Sequence, residues 1–370
     1  MDALSLIPAV EVPDILLPTY RLFVPPVLHS TSLPPIHPTS HIYGYYKAQE
    51  LDVYMPPSGT EPAGGGDLPP ICIFVYGGGY TSGARQMNLP PQVLQHLKAT
   101  NADIGPDDRA LEGLYHRNIG AFIASRGFVA VIPGYRLVSM EEREAKAYER
   151  GKEEALFPSG GEDILLALRW AVRNLDDVAD VEEIYAVGHS AGANHLCTML
   201  LSPGLLRADD DLARRVKKVV CLSGTYDYVD GRPERKVAWS RYFGSFEAVD
   251  RNCPLGLVRS PIARSSKSLP QMLCLHCPRD PPEVVEPQAR FWDAWTKRGG
   301  GGEMKQVSGK AHNHMSPVLG VGCGDEEVEA WLVDALEWCV EESEVESLRA
   351  CVRRLGSFQK DGGVPPMALN

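Results

Sequence analysis

Five stretches of this chain are continuous apolar runs rich in β-branched residues, and each ends in glycine, proline or a polar turn. They are ICIFVY (71–76), FVAVIPGYR (128–136), EIYAVGHS (183–190), VKKVVCLSG (216–224) and LPQMLCLHC (269–277). A strand that alternates apolar and polar residues has one wet face, whereas a run without alternation is buried on both. Residues 161–175 lie between two of these runs and carry Ile164, Leu165, Leu168 and Val172 at helical spacing. Strands alternating with helices predict an α/β fold, with a mostly parallel central sheet and helices on both faces. LDVYM (51–55) alternates and reads as a further strand, as does EMKQVSG (303–309).

The remaining segments set the expected organisation. Residues 1–45 are rich in proline with little periodicity, which predicts an irregular N-terminal arm, and residues 46–350 form one domain. Within that domain 81–108 and 226–265 break the alternation, so both read as insertions over the functional site, and 351–370 read as a C-terminal tail. The glycines of RGGGG (298–302) lack a preceding strand and a following helix, so they read as a turn and not as a phosphate loop.

Hydrophobic residues make up 44% of the 370 and charged residues 23%, enough for a globular core, while a net charge of -11 disfavours nucleic acid and anionic membranes as partners. Acids and early prolines interrupt the apolar start, which therefore does not read as a secretory signal, and no apolar run is long enough to span a bilayer. Nine cysteines without regular spacing, and no Asn-x-Ser/Thr acceptor, predict a cytoplasmic protein.

The strongest chemical signal is Gly188-His189-Ser190-Ala191-Gly192, between the run IYAV and the helical ANHLCTML. A strand, a sharp turn and a helix around G-x-S-x-G expose the serine hydroxyl above the sheet, and the two glycines supply the space. Tyr76-Gly77-Gly78-Gly79-Tyr80 follows the run ICIFV, where glycines can turn peptide N–H groups toward an oxyanion. Gly78 and Gly79 are the expected donors, joined by the N–H of Ala191. A serine needs a histidine to take its proton and a carboxylate to orient that histidine. Asp280 follows the run QMLCLHC and His314 follows EMKQVSG, in the order Ser, Asp, His.

Other residues compete for these roles. His312 lies two residues before His314, and Asp227 follows the run KVVCLSG, one strand earlier than Asp280. His189 and His195 are tied to the elbow backbone, which favours packing, and His276 sits inside a strand. Cys274 and Cys277 form a C-x-x-C with no second pair, so neither a zinc nor a redox site is expected.

At YGGGY, PGYRL, FPSGGEDILLALRWAVRN, GHSAGA, LHCPRDPPEVV and AHNHMSP the chain resembles the α/β-hydrolase esterases, in the hormone-sensitive-lipase-like and kynurenine-formamidase-like branches. The motifs keep their order across roughly residues 50–340. GHSAGA with a downstream HNH-type histidine is more similar to the formamidase and small-esterase branch, where the histidine after Asp or Asn is catalytic, and this implies His314 over His312. One departure is Tyr76, where these families usually have a histidine that shapes the loop. The resemblance implies a Ser-His-Asp hydrolase of small or medium carboxylic esters, acting on a small-molecule ester or amide without metal or organic cofactor. The alternatives are an arylformamidase cleaving N-formylkynurenine and a non-catalytic small-ligand-binding protein on the same fold. Oligomeric state has no reading in the sequence.

Overall fold

A computed structural model describes all residues except 1, 87–88, 101–112, 139–154, 207–209, 229–232, 262–268, 310 and 342–370. The expected tail 351–370 and parts of both expected insertions lie outside the described residues.

Eight strands form one sheet: β1 (Thr39–Ile42), β2 (Glu50–Tyr54), β3 (Pro70–Val75), β4 (Val129–Pro133), β5 (Asp180–His189), β6 (Val216–Leu222), β7 (Gln271–His276) and β8 (Gly302–Gln306). Their order is β1-β2-β4-β3-β5-β6-β7-β8. The β1–β2 and β2–β4 pairs are antiparallel and every other pair is parallel. Every residue of β3 and β4 is buried, as strands covered on both faces require. Helix Leu114–Ser125 packs on β4, helix Glu326–Val340 on β6, and helices Ser159–Asn174 and Ala191–Leu201 on each other. This is the α/β-hydrolase fold.

The topology itself selects a place for chemistry. The chain passes from β3 to β4 on one side, then crosses back so that β5 pairs with the other side of β3. Where the winding reverses, the connections leaving the strand ends diverge and open a crevice at their carboxyl ends. The glycine-rich segment 76–80 leaves β3 at that point, and Ser190 leaves β5 beside it.

The arm expected to be irregular is ordered instead. Residues Val12–His29 form a helix despite Pro18, Pro25 and Pro26 inside it. Each proline removes one donor, but Ile15, Thr19, Tyr20, Phe23, Val24 and Val27 are buried along one stripe and compensate through packing. The five apolar ones join Leu89, Val93, Leu114, Tyr115, Leu319 and Val328 in a second core beside the sheet. Strand β1 also falls inside the expected arm, its residues mostly exposed at the sheet edge. The expected insertions contain helices: Pro91–Thr100 in the first, and Pro233–Phe243, Phe246–Asn252 and Pro254–Arg259 in the second. No described helix is long and apolar enough to cross a membrane.

A buried ion pair ties the antiparallel end of the sheet to the helical layer. The Asp163 side chain is fully buried and accepts from the Arg136 guanidinium at 2.7 Å, the Arg136 amide at 2.8 Å and Gln49 Nε2 at 2.6 Å. Removing one partner of such a pair strands an uncompensated buried charge. Asp163→Ala is therefore expected to lower the unfolding free energy by about 3–5 kcal/mol, read as a shift in the urea midpoint.

Candidate active site

Ser190 sits at φ 53°, ψ -121° between the end of β5 and helix Ala191–Leu201. A side chain at positive φ crowds its own backbone, and such residues cost roughly 1–3 kcal/mol. Hydrogen bonds surround and hold the turn: the Ser190 amide donates to Leu222 O at 2.9 Å, and Ser190 O accepts from the Asn194 amide at 3.3 Å. The flanking glycines are required by space. A Cβ on Gly192 would lie 2.0 Å from Val75 O, and one on Gly188 would lie 2.8 Å from the Ala193 backbone.

Three strand ends then converge. Ser190 leaves β5, Asp280 follows β7 and His314 follows β8. His314 Nε2 lies 3.0 Å from Ser190 Oγ, and His314 Nδ1 lies 2.7 Å from Asp280 Oδ1. The imidazole and the carboxylate are buried, while Ser190 is partly exposed. Asp280 Oδ2 accepts from Ser223 Oγ at 2.6 Å and from the Cys277 amide at 2.7 Å. Burial alone would raise the Asp280 pKa, but the hydrogen bonds from His314, Ser223 and the Cys277 amide outweigh it and hold the carboxyl below the ordinary carboxylate range. An ionised Asp280 accepts the Nδ1–H of His314, which leaves Nε2 free to accept the Ser190 proton.

Ser223 is a site residue that the sequence reading passed over. It stands directly after β6 at φ 51°, fully buried, with its amide on Leu275 O at 2.8 Å. A hydroxyl placed at a strand end of a parallel sheet was the available signal. His189 also contributes: its Nε2 donates to His314 O at 2.9 Å, bracing the histidine loop from beneath.

The remaining competitors stand elsewhere. His312 is fully buried with Nδ1 on Ser316 Oγ at 2.9 Å, and Asp227 is paired with Arg290 at 3.1 Å. His195 packs among Tyr80, Tyr135 and Tyr242. Cys274 Sγ contacts Tyr226 Oη at 3.2 Å, and Cys277 Sγ lies 3.5 Å from Ser223 Oγ. Both cysteines are free thiols.

Beside Ser190, the segment after β3 carries Gly78 at φ 140°, Gly79 at φ 60° and Tyr80 at φ 72°. Gly77 comes so close to the elbow that a Cβ there would meet Ser190 Cβ at 2.9 Å. The Tyr76 ring points into the core, stacked between His116 at 4.9 Å and Tyr135 at 4.5 Å. Tyr135 Oη donates to Tyr76 O at 2.8 Å, so the loop is fixed by its own carbonyl. The Ala191 amide opens a helix and has no intrahelical acceptor.

Aromatic residues of the second insertion pack against Tyr80 and the helix that follows Ser190. Tyr80 stacks on Tyr242 at 4.4 Å, Tyr228 tilts on Trp239 at 4.3 Å, and Asn194 Nδ2 donates to the hydroxyls of Tyr80 and Tyr228 at 2.9 and 2.6 Å. A cavity of about 300 Å³ opens beside Tyr228 and Trp239, with Lys236, Glu247 and Asp250 in its wall.

The fold is shared with solved structures of low sequence similarity. Esterase B from Lactobacillus Rhamnosis is 14% identical with a TM-score of 0.61, over 95% of this chain and 98% of that chain. A mutant of the esterase rPPE is 15% identical with a TM-score of 0.57, over 89% of each chain. A fungal esterase from Rhizomucor miehei is 15% identical with a TM-score of 0.54, over 88% of this chain and 89% of that chain. No protein-family model matches the chain and no curated protein matches it.

Two expected outcomes concern stability. Ser190→Gly removes the cost of positive φ, so it should be about 1 kcal/mol more stable than Ser190→Ala in parallel thermal melts. Burial lowers the pKa of His116 to about 4, His189 to about 3, His195 to about 3 and His312 to about 4. The unfolded chain takes up these protons near pH 6.5 and the folded protein does not until far lower pH. The unfolded state therefore binds more protons between about pH 6.5 and 4, and stability rises with pH across that window. Lowering the pH from 7 to 4.5 should cost more than about 3 kcal/mol by urea denaturation, with protonation of Asp280 adding a further loss at lower pH still.

Proposed function

We propose that this protein is a serine hydrolase cleaving small or medium carboxylic esters through an acyl-enzyme, with Ser190, His314 and Asp280 as its triad. The observation that carries the reading is the unbroken hydrogen-bonded chain from Ser190 Oγ through both imidazole nitrogens of His314 to a buried, ionised Asp280. The fold's solved relatives named as esterases are consistent with it.

In this reading Ser190 Oγ attacks the acyl carbonyl while His314 Nε2 takes its proton, and Asp280 stabilises the imidazolium that results. The tetrahedral oxyanion is met by the N–H groups of Gly78, Gly79 and Ala191, which are fixed before substrate arrives and so need no reorganisation. His314 returns the proton to the leaving alkoxide, and an alcohol departs. Water, deprotonated by the same nitrogen, then attacks the acyl carbon, and Ser190 leaves with the proton. The positive φ of Ser190 supports this role, because strain of that kind persists where the surroundings enforce it for function.

The proposed acyl preference rests on the make-up of the second insertion. Long acyl chains need a broad apolar surface, whereas the described part of that insertion intersperses Lys236, Arg241, Glu247, Asp250 and Arg251 among its aromatic residues. A formamide uses the same nucleophile and oxyanion site, so substrate assay distinguishes the arylformamidase alternative.

Ser190→Ala should lower turnover by about 10⁴- to 10⁶-fold and abolish labelling by a fluorophosphonate. Asp280→Asn should lower kcat by orders of magnitude because the amide favours the wrong imidazole tautomer. His314→Ala should be inactive, whereas His312→Ala keeps substantial activity. Across acetyl, butyryl, octanoyl and palmitoyl esters of one chromogenic alcohol, kcat/KM should peak at short or medium chains. A palmitoyl maximum with interfacial activation would overturn the preference, and N-formylkynurenine exceeding every ester would replace it with the formamidase.

A further inference from the structure

We propose that Thr19 and Arg279 are positioning residues, through which the N-terminal segment 4–29 holds the loops carrying Asp280 and His314 in mutual register. The inference rests on the triad reading above.

The neighbours of the acid and the base are both anchored to that segment. Arg279 precedes Asp280, and its guanidinium donates to three carbonyls of the segment: Leu4 O at 2.8 Å, Ile7 O, and Ala9 O at 3.2 Å. Asn313 precedes His314, and its Nδ2 donates to Thr19 Oγ1 at 2.9 Å, while the Thr19 hydroxyl donates to Ile15 O at 2.6 Å. Asn313 Oδ1 accepts from the amides of Met315 and Ser316, both at 3.0 Å, so the side chain that meets Thr19 also shapes the turn bearing His314.

The two loops are joined as well. Arg279 and Asn313 form an isolated parallel bridge, with the Arg279 amide on His312 O at 3.0 Å. Asn313 and Thr19 are fully buried, so a lost partner there is not replaced by solvent. The helix bearing Thr19 shares a core with Leu89, Val93, Leu114 and Tyr115, which lie outside both loops, and with Ala311, Leu319 and Val328 around the histidine. Part of its anchorage is therefore independent of the two loops, which makes it a reference for both.

A positioning role acts on the chemical step more than on binding. A displacement of about 1 Å in reacting groups can cost on the order of 10²-fold in rate. Thr19→Val keeps the shape and deletes the hydroxyl. Thr19→Ser restores the hydroxyl, and Arg279→Ala removes the other tether. With a short-chain chromogenic ester, Thr19→Val and Arg279→Ala should each lower kcat about tenfold with KM within twofold. Thr19→Ser should stay near wild type.

The proton shared by His314 Nδ1 and Asp280 gives a readout independent of turnover. Its downfield proton resonance should shift or broaden in Thr19→Val and Arg279→Ala but not in Thr19→Ser. Either tether variant that melts cooperatively yet keeps kcat and this resonance at wild-type values overturns the proposal. Should Arg279→Ala or Thr19→Val fail to fold, Arg279→Gln decides on the same two measures. Failure of wild-type Ser190 to react with a fluorophosphonate would refute the hydrolase reading instead, and the resonance comparison would still test the tethers.

Discussion

Everything in the site depends on backbone meeting backbone at the end of β3. Helix Ala191–Leu201 begins so near Val75 O that position 192 has no room for a Cβ, and position 77 has none because of Ser190 itself. The absence of side chains at these points brings the loop after β3 against the turn after β5, and so sets the glycine-rich segment beside Ser190. Enlarging any of these glycines would push apart the two central strand ends on which the crevice is built.

Around that contact the polar groups are arranged so that few charges face burial without compensation. Asp280 is kept ionised by three hydrogen bonds, and Asp163 is surrounded by Arg136 and Gln49. His116, His189, His195 and His312 take the opposite course, since burial lowers their pKa values and favours the neutral ring, which suits His189 as a donor to His314 O.

The parts of the fold legible in the sequence were those written in local pattern. The runs at 71–76, 128–136, 183–190, 216–224 and 269–277 became β3 to β7, because strands buried on both faces carry an unbroken apolar signature. Ser190, Asp280 and His314 stood at strand ends, where order along the chain ranks the candidates. Strand β1 was missed because TSHI is a polar edge strand with three of its residues exposed. The helix Val12–His29 was missed because its three internal prolines were weighed as breakers, while the stripe of Ile15, Tyr20, Phe23, Val24 and Val27 was not followed through them. Ser223 had only its place at a strand end as a signal, and the links from Thr19 and Arg279 had none, since each depends on which distant segments come together.

Those links span almost the whole chain: Thr19 and Asn313 are 294 positions apart, and Arg279 is 275 from Leu4. At about 5–20 residues per second a ribosome needs roughly 15–60 s to make that interval. The helix Val12–His29 emerges long before Asn313 exists, with the apolar stripe of Ile15, Tyr20, Phe23 and Val24 still waiting for Leu319 and Val328. This helix thus completes its packing only after most of the sheet has been made, and during synthesis its apolar face is a surface that a chaperone or a neighbouring nascent chain can reach.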